Sequence, residues 1–142
     1  MTQEEKQLLL KDLCSRLPYG VLCYINDDDT NTPRKLRRIE VDELDGILLD
    51  FCTGREDCPS MQVYLSEVKP YLCSMSSMTK EEEDEFVSFT DTMFRFGEDD
   101  ILCVLPLDAI SWLNKKMFDY RGLIKKGLAI EVTKDNNPYN LD

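Results

Sequence analysis

Apolar residues near the N-terminus recur every three or four positions, which is the period of an amphipathic helix. Thr2 and Glu5 have the spacing of a capping box, so we expect the helix to begin there. Pro18 and Gly20 predict that it ends near residue 17. The residues expected on its apolar face are Leu9, Leu10, Leu13, Cys14 and Leu17.

Beyond this helix, apolar and polar residues alternate, which is the period of a half-buried β-strand. Alternating segments that contain Cys23, Val41, Leu49 and Val63 predict four strands, and residues 128–132 predict a last one. The connections between the early strands are of hairpin length. They therefore favour antiparallel pairing.

The hairpin around Gly46 has two possible registers. A two-residue turn would place Val41 opposite Asp50, which mixes core and solvent on each face. A three-residue loop over residues 44–46 lets apolar partners share a face, so we predict this register, with Gly46 in the left-handed region. The predicted pairs are Val41 with Leu49, Ile39 with Phe51 and, as a cost, Glu40 with Asp50.

Two more helices are predicted in the second half of the chain, the later one across residues 109–117. Thr79 and Glu82 form a second capping box at the start of the earlier helix. An apolar stripe follows at helical spacing, which is typical of a helix that packs on a core. Its members are Phe86, Phe89, Met93 and Phe96.

The order of these elements predicts an α+β fold, with a single domain over residues 1–133 and a polar, frayed tail over residues 134–142. We expect an antiparallel sheet, or a small SH3-like or Sm-like barrel, of about five strands. The N-terminal helix and the C-terminal helices are expected to pack on it. A fold of this kind does not by itself define a function.

The chain has 142 residues, no histidine and a net charge of −11 at pH 7. Without histidine there is no imidazole for a general base, for a Ser-His-Asp or Cys-His nucleophile system, or for a zinc site. The acidic balance argues against binding to the phosphate backbone of nucleic acid. The glycines also form no G-x-G-x-x-G or P-loop motif that would hold a nucleotide phosphate. From these observations we predict no catalytic residue, no cofactor, no metal and no nucleic-acid partner.

The six cysteines are expected to be free thiols, because we predict a cytoplasmic protein with no membrane partner. The first five residues are too polar for a secretory signal, and no apolar run approaches the roughly 20 residues of a membrane span. Cys23 and Cys52 occupy alternating positions, as small buried hydrophobic residues do. A zinc site drawn from several cysteines stays open as an alternative, although the spacing of Cys52 and Cys58 is wider than that of a typical zinc pair.

The densest basic run consists of Arg34, Lys35, Arg37 and Arg38, at the start of a predicted strand. A nucleic-acid groove would interleave aromatic residues and carry a basic surplus around them. This run instead lies between acidic residues on both sides. We interpret it as the solvated edge of a hairpin, protected from aggregation by its charge.

Two segments carry a resemblance to a known family. Residues 69–79 read K-P-Y-L-C-S-M-S-S-M-T, and residues 112–131 contain W-L-N-K-K-M-F-D-Y-R-G-L-I-K-K-G-L-A. Together they cover 31 of the 142 residues and resemble a family of small uncharacterised proteins carried by gut bacteria and their bacteriophages. The resemblance implies a mobile-element setting and carries over no activity.

Residues 79–100 hold nine acids and two bases, a net charge of −7, whereas residues 115–126 have a net charge of +4. If the apolar stripe faces inward, the acids form one negative field in solvent, which we predict to bind a partner. The competing interpretation is that lysines of the basic segment neutralise them through weak exposed pairs. The predicted surface consists of Glu81, Glu82, Glu83, Asp84, Glu85, Glu98, Asp99 and Asp100.

Three function classes fit these observations. The leading one is a non-catalytic interaction or accessory protein of a bacterial mobile element or phage, which binds another protein of unknown identity. The alternative is an acidic nucleic-acid mimic that blocks a host DNA- or RNA-binding enzyme. A hydrolase with only carboxylates in its site is the third class, and no specific motif favours it.

Overall fold

An open six-stranded sheet with a long helix across one face organises the fold, in a computed structural model that describes residues 1–26, 32–42, 46–53, 60–90 and 107–139. The strand order is β4-β3-β2-β1-β5-β6, antiparallel except for the parallel pair of β5 and β6. The elements are α1 (Gln3–Arg16), β1 (Leu22–Ile25), β2 (Arg34–Asp42), β3 (Gly46–Cys52), β4 (Ser60–Tyr64), β5 (Val68–Leu72), α2 (Lys80–Thr90), α3 (Leu107–Lys115) and β6 (Ile130–Glu131).

The predicted α+β class is confirmed, but the sheet is not a closed barrel. Within the described residues, β4 and β6 are its two edges. The sheet also has six strands rather than about five, because β5 forms a strand through Pro70, which pairs with Cys23 of β1. No helix in the described ranges has both the length and the apolar character needed to cross a membrane.

Helix α1 begins at the predicted capping box. The backbone N–H of Glu5 donates to Thr2 Oγ1 at 3.1 Å, and the backbone N–H of Thr2 donates to Glu5 Oε2 at 3.0 Å. Leu9 and Leu13 are fully buried against the sheet. Cys14, which we expected on the same face, is exposed.

The register predicted for the β2–β3 hairpin is wrong by two residues. Val41 lies opposite Ile47, and Ile39 lies opposite Leu49. The observed register places Arg38 opposite Asp50. The predicted register would have placed Glu40 opposite Asp50, and like charges in that position are destabilising. Gly46 has the expected left-handed backbone, with φ +82°, and residues 43–45 lie outside the described residues.

The C-terminal tail is polar, but it does not fray at Tyr139. The side chain of Tyr139 packs against the main core, its Oη accepts from the backbone N–H of Leu22 at 3.0 Å, and it donates to the carbonyl of Tyr71 at 2.8 Å. Burial raises the pKa of this phenol well above its usual value. The tail is therefore fastened across β1 and β5.

Candidate partner-binding surface

Helix α2 starts at the second predicted capping box, which defines where the acidic residues enter the helix. The backbone N–H of Glu82 donates to Thr79 Oγ1 at 3.1 Å, and the backbone N–H of Thr79 donates to Glu82 Oε1 at 3.0 Å. Both confirm the motif. The carboxylate of Glu82 is thereby committed to the helix start, and its side chain is half-buried.

The apolar stripe of α2 packs on a second, smaller core. The rings of Phe86 and Phe89 lie 5.9 Å and 6.3 Å from the ring of Trp112 in α3, within the range of favourable aromatic pairs. Trp112 in turn stacks on Phe118 at 5.8 Å. This confirms the inward orientation of the stripe at its first two positions. Met93 and Phe96 lie outside the described residues.

The remaining acids of α2 are exposed. Because the aromatic rings hold the opposite face, four side chains point to solvent: Glu81, Glu83, Asp84 and Glu85. Glu81, Asp84 and Glu85 are spaced as i, i+3 and i+4 and so share one strip of the helix. The other predicted members of the surface, Glu98, Asp99 and Asp100, fall outside the described residues.

No ion pair within the described ranges neutralises these acids. The pairs found there join Asp12 to Arg16, Asp12 to Arg121, and Arg38 to Asp50. The lysines that we considered as partners are exposed and take part in none of these three pairs: Lys115, Lys116, Lys125 and Lys126. Among the described residues, no ion pair therefore offsets the charges of Glu81, Glu83, Asp84 and Glu85.

A buried charged cluster joins α1 to the segment after α3, and sequence reasoning missed it. Arg16 is fully buried and donates to Asp12 through Nε at 2.9 Å and through Nη2 at 3.1 Å. It also donates to the carbonyls of Phe118 at 2.6 Å and Leu113 at 3.4 Å. Arg121 donates to the same carboxylate of Asp12 at 3.0 Å. These hydrogen bonds therefore join α1 to α3 and to the segment that follows it.

The two segments that carry the family resemblance meet in space. The backbone N–H of Cys73 donates to the carbonyl of Met117 at 2.7 Å, and the N–H of Asp119 donates back to Cys73 at 2.8 Å. The carboxylate of Asp119 then accepts from the backbone N–H groups of Leu123 and Ile124, both at 2.9 Å. These contacts hold the segment after α3 beside the second, smaller core, which contains Trp112 and Phe118 and on which α2 packs.

The cysteines in the described ranges are free thiols: Cys14, Cys23, Cys52 and Cys73. Burial, with a smaller effect from the charge of Asp12, raises the pKa of Cys23 far above its usual value, so its nucleophilic thiolate is disfavoured. Burial also raises the pKa of Cys73. Cys58 and Cys103 lie outside the described residues, and the described part holds no group of three or more potential metal ligands.

Comparisons of the chain with protein-family models, with curated proteins and with solved structures find no match.

Proposed function

We propose that this protein is a non-catalytic interaction protein that presents the acidic face of α2 to a basic segment of another protein. The observation that supports the proposal is the set of four exposed carboxylates on α2 without an intramolecular ion pair in the described residues. A setting in a bacterial mobile element or phage belongs to the same proposal and rests only on the resemblance carried by residues 69–79 and 112–131.

The packing of α2 on the second, smaller core is consistent with a partner-binding surface. An acidic strip attracts a basic partner over about 8–10 Å at physiological salt, and it gives a defined complex only if the helix is held in place. Phe86 and Phe89 hold α2 on Trp112, and the capping box fixes its first turn. The charges therefore sit on a supported surface.

The strip formed by Glu81, Asp84 and Glu85 suits a short basic segment of a partner. From Glu81 to Glu85 the helix rises by about 6 Å, at about 1.5 Å per residue. A segment with a few lysines or arginines matches a strip of this length, and mimicry of nucleic acid stays the alternative.

The test is affinity capture from the native cell with two variants of equal charge change. Glu81→Lys/Asp84→Lys/Glu85→Lys reverses the strip and leaves the capping Glu82 intact. The matched control, Glu40→Lys/Glu131→Lys/Asp135→Lys, reverses three exposed acids elsewhere. Circular dichroism and thermal melts establish that both variants are folded.

We expect the wild type and the control to recover the same partner and the α2 variant to lose it. Equal recovery by all three proteins would show that the strip serves only solvation. A partner that is a DNA- or RNA-binding enzyme, released by competing nucleic acid, would overturn the proposal in favour of mimicry.

A further inference from the structure

A cleft of about 280 Å³ lies beside the first turns of α1, between the helix, the start of β3 and the end of β4. Part of its lining is apolar. Leu65 is only 4% exposed and belongs to the main core, and Ile47 packs against that core. The volume is close to the lower end of the roughly 300–1,000 Å³ that small-molecule sites occupy, so the cleft suits a small ligand.

One strip of α1 brings polar side chains to this cleft. Gln3, Lys6 and Gln7 line it and are spaced as i, i+3 and i+4, which places them on one side of the helix. Tyr64 and Ser66 line it from the end of β4 and the turn that follows. Among the described residues, none of these five side chains takes part in a hydrogen bond or an ion pair. The cleft therefore combines apolar surface with polar groups that the described part of the fold does not engage.

Lys6 gives the described lining of the cleft its charge. It is half-buried, whereas the carboxylate of the neighbouring Glu5 accepts from the backbone N–H of Thr2 at 3.0 Å and does not line the cleft. A half-buried ammonium attracts an anion more strongly than an exposed one, because water and salt screen it less. One positive charge matches a carboxylate better than a phosphate group, which carries nearly two negative charges.

We propose that this cleft binds a small carboxylic acid with an apolar chain, in its ionised form. The carboxylate accepts from the ammonium of Lys6, a charge-assisted hydrogen bond, and from the side-chain amides of Gln3 and Gln7. The chain lies against Ile47 and Leu65, where apolar surface is removed from water. The site is separate from α2 and does not rest on the partner surface proposed above.

Hexanoate and hexanamide provide the test, because they share the apolar chain and differ in charge. Each is titrated into the isotope-labelled protein at about pH 7, where a carboxylic acid is ionised, and binding is followed by NMR. We expect the amide signals of residues 3–7, 46–47 and 64–66 to shift. Hexanoate should bind at least about tenfold more tightly than hexanamide, as one charge-assisted hydrogen bond implies. Acetate, which lacks the chain, should bind at least about tenfold more weakly than hexanoate.

The variant Lys6→Gln separates the attraction of charge from the contribution of the chain. It keeps a polar side chain without the charge, so we expect it to bind hexanoate and hexanamide within about threefold of each other. The matched control Lys11→Gln removes an exposed lysine of the same helix that does not line the cleft, and it should keep the tenfold preference. The NMR spectra also establish that both variants are folded.

Four results would each overturn the proposal. They are no binding of hexanoate at millimolar concentration, signal shifts confined to residues outside the cleft, equal affinity of the wild type for acid and amide, and a preference for the acid that persists in Lys6→Gln. The comparison of acid and amide in the wild type stands even if a variant fails to fold.

Discussion

Removing the carboxylate of Asp12 should destabilise the protein more than any change to its surface acids. Asp12 is fully buried, accepts two hydrogen bonds from Arg16 and accepts a third from Arg121. In Asp12→Ala both guanidinium groups lose their shared counter-charge. Arg16 would still be buried, with the carbonyls of Leu113 and Phe118 as its hydrogen-bond partners and the ring of Tyr120 at 5.4 Å from its guanidinium carbon.

The expected loss is about 3–5 kcal/mol, the usual cost of leaving one member of a buried pair without its partner. Domains of this size have a free energy of unfolding of about 5–15 kcal/mol, so the variant loses a large share of its stability. With a urea m-value of about 2 kcal/mol/M, the midpoint should fall by roughly 1.5–2.5 M.

Urea unfolding followed by Trp112 fluorescence measures this shift, with Glu85→Gln as the control. Glu85 is an exposed acid on a helix, and its neutralisation should change the free energy of unfolding by less than about 0.5 kcal/mol. The double variant Asp12→Leu/Arg16→Met should lose less than the sum of its single variants, because it leaves no unpaired charge on α1. A loss below about 1 kcal/mol in Asp12→Ala would refute the view that this cluster braces the fold.

Three further predictions concern single residues. Burial raises the pKa of Cys23, so the folded protein keeps a proton that the unfolded chain loses above about pH 8.5. The contribution of Cys23 to the free energy of unfolding is therefore constant below that pH and falls by up to about 1.4 kcal/mol per pH unit above it. Cys23→Val should remove that part of the alkaline slope, whereas a variant of the exposed Cys14 should not. Tyr139→Phe should cost about 1–2 kcal/mol in thermal or urea unfolding, because the backbone N–H of Leu22 loses its acceptor; an unchanged midpoint would contradict a fastened tail. Gly46→Ala should cost about 1 kcal/mol or more through backbone strain alone, since φ is +82° and no atom of the described residues, apart from the chain neighbours of Gly46, lies within 4 Å of the added Cβ. An unchanged free energy of unfolding would mean that the left-handed turn does not matter.

Local signals in the sequence were sufficient for several elements. Both capping boxes form with their predicted partners, because they depend on residues three positions apart. The aromatic stripe of α2 faces inward at Phe86 and Phe89, as its spacing indicates. The acidic strip of α2 follows directly from that orientation.

Features that depend on distant residues could not be predicted in the same way. The observed hairpin register has the predicted alternation of faces but differs from the predicted one by two residues. It places Arg38 opposite Asp50, a pairing that the local pattern did not indicate. Pro70 concealed β5, because a residue without an N–H argues against a central strand.

The buried charges on α1 were the clearest omission. Asp12 and Arg16 share the helix face of Leu9 and Leu13, at spacings of three and four residues. Sequence reasoning kept only the apolar members of that face. Their burial depends on Arg121 and on carbonyls about 100 residues away, namely those of Leu113 and Phe118, which no local pattern reveals.

The claim that the acidic face of α2 binds a partner is tested most directly by mapping the captured partner on the isotope-labelled protein by NMR. We expect the amide signals of residues 79–89 to shift or broaden on addition of the partner, and those of β2, β3 and β4 to stay in place. Perturbation confined to the sheet, or none at residues 79–89 while the partner is bound, would contradict the proposed interface.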